Sequence, residues 1–135
     1  MPKSVVACVE DLFFRSKIEA TARHLNLPVR FAEPKDLANA CRAEGTTAVL
    51  LDVSGSDKSL PAVRKLRQDE QTRDLPVIGF LTHVDRELAR QAEDAGVTRV
   101  MPRSQFSETL PDVLMDLVAP GTKREMQEEP ELPDE

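Results

Sequence analysis

The sequence has 135 residues, 40% of them hydrophobic and 31% charged, and this size and balance fit one domain with a single core. Its formal net charge is −6, and residues 120–135 carry −4 of that, with six acidic and two basic side chains. The rest has neither a basic stripe nor an apolar run near the roughly 20 residues of a membrane span, which argues against nucleic-acid-binding and transmembrane proteins.

Apolar periodicity switches repeatedly between strand and helix along the chain. Five strands are predicted, at residues 4–9, 28–32, 47–51, 76–81 and 99–101. Each is followed by a predicted helix, at residues 12–26, 34–44, 61–69, 86–95 and 108–118. Five βα units of this kind predict an α/β fold, in which a doubly wound, five-stranded parallel sheet carries helices on both faces.

Helix boundaries are predicted from capping and turn residues. The predicted N-caps are Asp11, Asp85 and Ser107. Gly45 and Gly96 are predicted to end two helices, and Pro111 is placed in the first turn of the last helix, where its missing N–H is tolerated. The predicted inward face of the first helix is Leu12, Ile18, Ala22 and Leu25.

The chain ends and the cysteines indicate where the protein resides. Residues 1–119 are predicted to form the domain, and residues 120–135, with few apolar side chains, a disordered acidic tail. The N-terminus lacks the apolar stretch of a signal peptide, and Cys8 and Cys41 lack the spacing of a disulfide framework or zinc site. We therefore expect a cytoplasmic protein, with Cys8 as a small buried residue of the first strand.

Polar side chains follow several predicted strands at the point where each strand ends. They are Glu10, Asp11, Asp52, Thr82, His83 and Arg103. Because the carboxyl ends of parallel strands meet at one edge of a sheet, these side chains are expected to converge in one shallow pocket. Clustered carboxylates repel one another unless a cation intervenes, and a hard divalent ion such as Mg²⁺ prefers oxygen ligands.

Four segments in the same order resemble the response regulator receiver domain family, in its chemotaxis-regulator-like form. Val9-Glu10-Asp11 is similar to the acidic pair that ends the first receiver strand, and residues 48–52 to the strand that ends in the phosphoacceptor aspartate. Residues 64–78 resemble the third helix and fourth strand, and residues 94–104 the segment that leads to a lysine and a proline. The resemblance covers residues 4–118 and implies a flavodoxin-like (βα)5 receiver fold and a role in phosphorelay signal transduction.

The resemblance also implies roles for individual residues. Asp52 would be the phosphoacceptor, and Asp11, Asp52 and the backbone carbonyl of Ser54 would hold Mg²⁺, with Glu10 binding it through water. Thr82 and Arg103 would contact the phosphoryl group. The implied partner is a histidine kinase or another signalling protein, and a homodimer is an open alternative.

Three positions depart from the family's pattern. Arg103 replaces the lysine, and its planar fork could bind Asp52 without any phosphate. Leu81 occupies the position of the family's threonine or serine, so that Thr82, one residue later, reaches the phosphoryl group only if a bulge turns it inward. Val100 replaces the aromatic switch residue. The residues for accepting a phosphoryl group are therefore better retained than those for reporting it.

These departures leave more than one function open. The first is a stand-alone phosphoreceiver, and the second is a pseudo-receiver that acts as a phosphorylation-independent interaction module. An anti-sigma-antagonist-like regulatory domain, suggested by residues 51–56, is a third, and an enzyme acting on small molecules is disfavoured because no phosphate loop or nucleophile–base pair is visible. Of Phe13 and Phe14, one is expected in the core and the other to be exposed beside the site as a partner anchor.

Overall fold

The computed structural model describes residues 3–118, in which five parallel strands form one sheet in the order β2-β1-β3-β4-β5. The strands are β1 (Ser4–Cys8), β2 (Val29–Phe31), β3 (Thr46–Asp52), β4 (Val77–Leu81) and β5 (Arg99–Pro102). The helices are α1 (Leu12–His24), α2 (Leu37–Cys41), preceded by a 3₁₀ turn at Pro34–Asp36, α3 (Ser59–Gln68), α4 (Arg86–Ala95) and α5 (Arg103–Val118). This is the doubly wound order in which the chain reverses direction across the sheet between β1 and β3, and the predicted fold class is confirmed.

The sheet is buried on both faces because apolar side chains point both ways along its strands. In β1, Val5 and Ala7 join the layer beneath α1 and α5, whereas Val6 and Cys8 join the layer beneath α2, α3 and α4. All five residues of β1 are buried, as expected for an inner parallel strand. The central strands therefore hold the site residues at their carboxyl ends on a rigid base.

Two residues, Arg67 and Gly79, let the α3–α4 layer pack tightly. Arg67 of α3 donates hydrogen bonds to the backbone carbonyls of Gly96, at 2.7 Å and 3.0 Å, and of Leu75, at 2.7 Å. A Cβ on Gly79 of β4 would lie 2.8 Å from Cγ2 of Val53, so this strand needs a glycine to let its neighbours approach. These contacts fix α3 and α4 against the strand that ends at the site.

The last helix was wrongly placed by the capping rules. It begins at Arg103 and not after Ser107, so Pro111 lies in its interior and not in its first turn. Pro111 is exposed, and because it has no N–H it cannot donate the helical hydrogen bond to the Ser107 carbonyl. Arg103 is thus a helical residue whose position is set by α5.

The prediction of the inward face of α1 was also partly wrong. Ile18 and Ala22 are buried as predicted, but Leu12 is 73% exposed and Phe14 takes the inner position. Asp11 is the N-cap of α1 and Asp85 that of α4, while Gly96 ends α4 in the left-handed conformation, all as predicted.

Two further predictions concern membrane-spanning segments and the end of the chain. None of the helices within residues 3–118 is long and apolar enough to cross a membrane. The predicted acidic tail, residues 120–135, lies outside the described residues.

Candidate functional site

Asp52 is the last residue of β3, the central strand of the sheet. Asp52 is only 8% exposed, and its Oδ1 atom accepts no hydrogen bond from the described residues. Burial raises the pKa of this carboxyl group, a hydrogen bond from the Ser54 backbone and the charge of Arg103 lower it, and the charges of Asp11 and Glu10 raise it further. A buried carboxylate oxygen without a donor is costly, and such a group is a candidate for binding or chemistry.

The loop after β3 is shaped around the Asp52 carboxylate. A Cβ on Gly55 would lie 2.9 Å from Oδ2 of Asp52 and 3.0 Å from its Cγ, so any larger residue would collide with the carboxylate. The buried hydroxyl of Ser59 donates to the Asp52 carbonyl at 3.3 Å. These contacts hold the backbone at Asp52, while the Oδ1 atom of its side chain has no hydrogen-bond donor among residues 3–118.

Asp11 stands at the start of α1, at the same edge of the sheet. Its Oδ1 atom accepts hydrogen bonds from the backbone N–H groups of Phe13 at 2.9 Å and Phe14 at 3.1 Å, which is the N-cap arrangement. Its Oδ2 atom lies 3.5 Å from Nη1 of Arg103. Glu10, one residue earlier, is exposed and contributes negative charge near Asp52.

Arg103 lies between the acidic residues and the aromatic core. Its guanidinium carbon is 5.6 Å from the ring centroid of Phe14, within reach of a cation–π contact. Within the part of the chain that the structure describes, Arg103 forms an ion pair with Asp11 and none with Asp52, so it pairs with the acidic cluster but not with the carboxylate that its planar fork could bind. The charge of Arg103 nevertheless acts on Asp52 and lowers its pKa.

Leu81 ends β4, at the position where the sequence resemblance implies a threonine or serine. The β4–β5 register runs from Ile78 opposite Arg99 to Leu81 opposite Pro102, so the pairing stays in step. Leu81 is buried, and Thr82 after it is exposed, with its backbone N–H donating to the Ser54 hydroxyl at 3.0 Å. The position of Leu81 is therefore as counted from the sequence, and Thr82 lies at the rim of the site.

An open cavity of about 760 Å³ adjoins these residues. Its wall combines polar and apolar side chains: Asp11, Phe13, Phe14, Lys17, Leu81, Thr82, Val84, Pro102, Arg103, Ser104 and Ser107. Asp52 lies behind this wall and not in it. Phe13, 90% exposed, and Val84, 85% exposed, stand at its mouth, and Phe14 is the buried member of the phenylalanine pair, as the sequence allowed.

The carboxylates at this edge offer two ligand oxygens to a hard divalent cation. The unpartnered oxygen of Asp52 and the Oδ2 atom of Asp11 are both of the kind Mg²⁺ binds. No three His, Cys, Asp or Glu side chains among residues 3–118 form a group that could hold a metal ion. A cation here would therefore take two carboxylates directly and complete its shell with backbone and water oxygens.

Sequence reasoning missed the aromatic support of the site. Phe80, opposite Asp52 in the sheet register, lies 4.9 Å from Phe14 and 4.8 Å from Phe106, measured between ring centroids. The three phenylalanines lie on three different elements, so spacing along the chain gave no sign that they meet. Only the folded loop reveals the proximity of Gly55 to Asp52.

Solved structures of known proteins share this architecture. A response regulator from Thermotoga maritima matches with a TM-score of 0.71 and 18% identity, over 88% of this chain and 99% of that one. A chemotaxis response regulator of Vibrio cholerae matches with a TM-score of 0.72 and 20% identity, over 87% and 99% of the two chains. The receiver domain of a sensor histidine kinase from Pseudomonas aeruginosa, solved with a magnesium ion in its active site cleft, matches at 0.73 and 17%, over 87% and 98%.

These likenesses establish the fold. No family model matches the chain, and no curated protein matches it significantly. At identities of 20% or less, the solved structures show that the chain has the fold of response regulator receiver domains. The resemblance inferred from the four sequence segments is thus confirmed at the level of the fold.

Proposed function

We propose that this chain is an atypical receiver domain of phosphorelay signalling, within residues 1–119, and that Asp52 is its phosphoacceptor. The observation that carries the proposal is the buried Asp52 carboxylate, whose Oδ1 atom has no hydrogen-bond donor among the described residues although Arg103 lies near enough to influence it. A structural aspartate at this depth would be paired, whereas a phosphoacceptor needs a free oxygen.

The transfer itself is a displacement at phosphorus. A carboxylate oxygen of Asp52 forms a bond to the phosphorus of a phosphohistidine, the P–N bond breaks, and its electron pair stays on the imidazole, which is protonated as it leaves. The product is an aspartyl phosphate. The donor in the cell is a histidine kinase or another signalling protein.

The surrounding residues have separate roles in this proposal. Arg103 contacts the phosphoryl oxygens from the cavity side. Thr82 contacts them from the rim, because the loop after β4, and not a bulge in the strand, brings it to the cavity. Asp11, Asp52 and the Ser54 carbonyl bind Mg²⁺ directly, and Glu10 binds it through water. The cation supplies positive charge against the phosphoryl group, which is the main requirement of a site for this reaction.

A second candidate is a phosphorylation-independent interaction module in the cytoplasm. Buried Leu81 provides no hydroxyl at the end of β4, and Val100, in a chain without Tyr or Trp, provides no aromatic switch. In that case the exposed side chains beside the cavity, Phe13 and Val84, would bind the partner without any prior reaction.

Phosphorylation by a small donor separates the two candidates. The protein is incubated with acetyl phosphate and Mg²⁺, and its intact mass is followed with time. The first candidate predicts an adduct of one phosphoryl group that is absent in Asp52→Asn. Asp57→Asn, which removes an exposed carboxylate from the same loop, is the matched control and should retain the adduct. Failure of the unmodified protein to form any adduct would leave the interaction module as the function.

A further inference from the structure

We infer that the Arg103 guanidinium occupies the cation position at Asp11, and that a divalent metal ion must displace it from Asp11 in order to bind. The inference rests on the proposed function only in placing the metal between Asp11 and Asp52. The new element is a competition between the Arg103 guanidinium and the metal ion for the Asp11 carboxylate.

The two oxygens of Asp11 are already assigned to different tasks. Oδ1 accepts two backbone hydrogen bonds at the start of α1, at 2.9 Å and 3.1 Å, and cannot leave them without uncapping the helix. Oδ2 is the atom that remains, and Nη1 of Arg103 lies 3.5 Å from it. A metal ion approaching Asp11 from the pocket therefore meets a guanidinium at the same oxygen.

Arg103 is held in this position from two further sides. It is the first residue of α5, which fixes its backbone, and the face of Phe14 lies 5.6 Å from its guanidinium carbon. Arginine also stays charged at any ordinary pH, so it cannot release Asp11 by losing a proton. Only a movement of the side chain clears the oxygen for another cation.

The pair is open enough to be displaced. The Arg103 and Asp11 side chains are 40% and 43% exposed, and an ion pair with that much solvent contact is weak. A divalent ion binds the same oxygen with twice the charge and also engages the unpartnered, buried oxygen of Asp52. Displacement therefore costs metal affinity without preventing binding.

Displacement has a consequence for the phosphoryl group. While Arg103 is paired with Asp11, its positive charge is partly neutralised. Once another cation takes Asp11, the guanidinium is free in the cavity beside Asp52, where an anion can use both of its N–H edges. Metal and anion should thus favour each other's binding, which is a reciprocal coupling within one site.

The test uses Mg²⁺ alone as the probe, on the full chain. Binding is measured by calorimetry and by the rise of the melting temperature with MgCl₂, against KCl at equal ionic strength. Arg103→Gln should bind Mg²⁺ about tenfold more tightly than the unmodified protein, since it removes both the competing ion pair and a nearby positive charge. Arg86→Gln removes an exposed arginine at the start of α4 and is the matched control, with affinity unchanged.

A second variant shows whether the competition acts at Asp11. Asp11→Asn keeps a side-chain oxygen for capping α1 but removes the charge that both cations use. Mg²⁺ binding should weaken sharply in Asp11→Asn, and adding Arg103→Gln to it should restore much less affinity than the same change gives alone. Circular dichroism verifies that each variant is folded.

Several results would overturn the inference. They are an equal or weaker Mg²⁺ affinity in Arg103→Gln, an equal gain in Arg86→Gln, or no Mg²⁺ binding by either the unmodified protein or Arg103→Gln. None of these decides whether Asp52 accepts a phosphoryl group, which the mass measurement with Asp52→Asn reports separately. The two proposals can therefore fail independently.

Discussion

The backbone N–H of Thr82 donates a hydrogen bond to the hydroxyl of Ser54, 3.0 Å away, and this contact joins the loop after β4 to the loop after β3. It places Thr82 at the rim of the cavity through its main chain and leaves the threonine hydroxyl without a structural task in that bond. The side chain of Thr82 can therefore be altered without disturbing the link between the loops.

Thr82→Ala should slow the phosphorylation of Asp52 by about tenfold or more, because a hydrogen bond to a charged group contributes about 1.5 kcal/mol or more. The rate is followed as adduct mass against time with acetyl phosphate. Thr82→Ser keeps a hydroxyl and should react at nearly the original rate. Equal rates in all three proteins would remove Thr82 from the group of phosphoryl contacts.

Gly55→Ala should displace the Asp52 carboxylate, because the new Cβ would lie 2.9 Å from its Oδ2 atom. We expect adduct formation to fall about tenfold or more, while stability falls by about 1–3 kcal/mol, as is usual for overpacking. Lys58→Ala, in the same loop, removes an exposed side chain and should change neither quantity. An unchanged rate in Gly55→Ala would mean that the loop moves away and that the position of the carboxylate does not depend on Gly55.

Asp52→Asn should stabilise the protein at neutral pH, since burial raises the pKa of Asp52 and the folded state therefore disfavours its charged form. A group with a raised folded pKa loses its stabilising contribution as the pH rises through that pKa, so the advantage of Asn is largest near pH 7. It should shrink as the pH falls through the raised pKa and vanish below the ordinary value of 3.8.

Thermal melts across this pH range measure the effect. A gain of about 1 kcal/mol would raise the melting temperature by about 4 °C in a domain of this size. Asp57→Asn is the control, because that carboxylate is exposed. A destabilised Asp52→Asn at pH 7 would show that the Asp52 carboxylate has a stabilising partner after all.

Arg67→Lys should destabilise the fold by about 2–4 kcal/mol, because an ammonium group cannot serve the carbonyls of Gly96, Arg73 and Leu75 together. Urea denaturation gives the free energy of unfolding. Arg64→Lys, at an exposed position of the same helix, should lie within about 0.5 kcal/mol of the unmodified protein. Similar losses in both variants would indicate a general preference of α3 for arginine.

The two cysteine thiols should be unreactive in the folded protein at pH 8. Both are buried, and burial raises the pKa of Cys8 to about 12 and that of Cys41 to about 11, so neither forms the nucleophilic thiolate. A colorimetric thiol assay should count no thiol before denaturation and two after it. Rapid reaction of one thiol in buffer would place that cysteine outside the core.

Local signals along the sequence were enough to predict the order of the elements and, to within two residues, most of their ends. The second helix is an exception, because it covers only Leu37–Cys41 after a 3₁₀ turn and has its C-cap at Arg42 and not at Gly45. Asp11 and Asp85 cap helices as predicted because an N-cap depends on residues only two or three positions away. Counting along β4 puts Leu81 at the end of the strand, and the strand pairs with β5 without a shift up to that residue. The start of α5 was wrong because Ser107 is also a good capping residue, and the helix that includes it begins one turn earlier.

Contacts between distant parts of the chain could not be predicted. Whether Arg103 pairs with Asp52 or with Asp11 depends on how α5 leaves β5 relative to the start of α1, and no sequence pattern contains that angle. The packing of α1 on the sheet and α5 likewise decides that Phe14 is buried and Leu12 is exposed, because the inner position of α1 faces Phe80 and Phe106. The residues of the site could therefore be named from the sequence, but their pairings could not.

Asp11 and Asp52 would fare differently in a descendant that abandoned phosphoryl transfer. Asp11 would persist under selection for folding alone, since its loss removes a cap that contributes about 1 kcal/mol. Asp52, whose buried oxygen has no donor among residues 3–118, would be free to drift towards asparagine or an apolar residue. Among related sequences, an acidic residue at the position of Asp52 is thus the better marker of retained chemistry, and one at the position of Asp11 marks the helix.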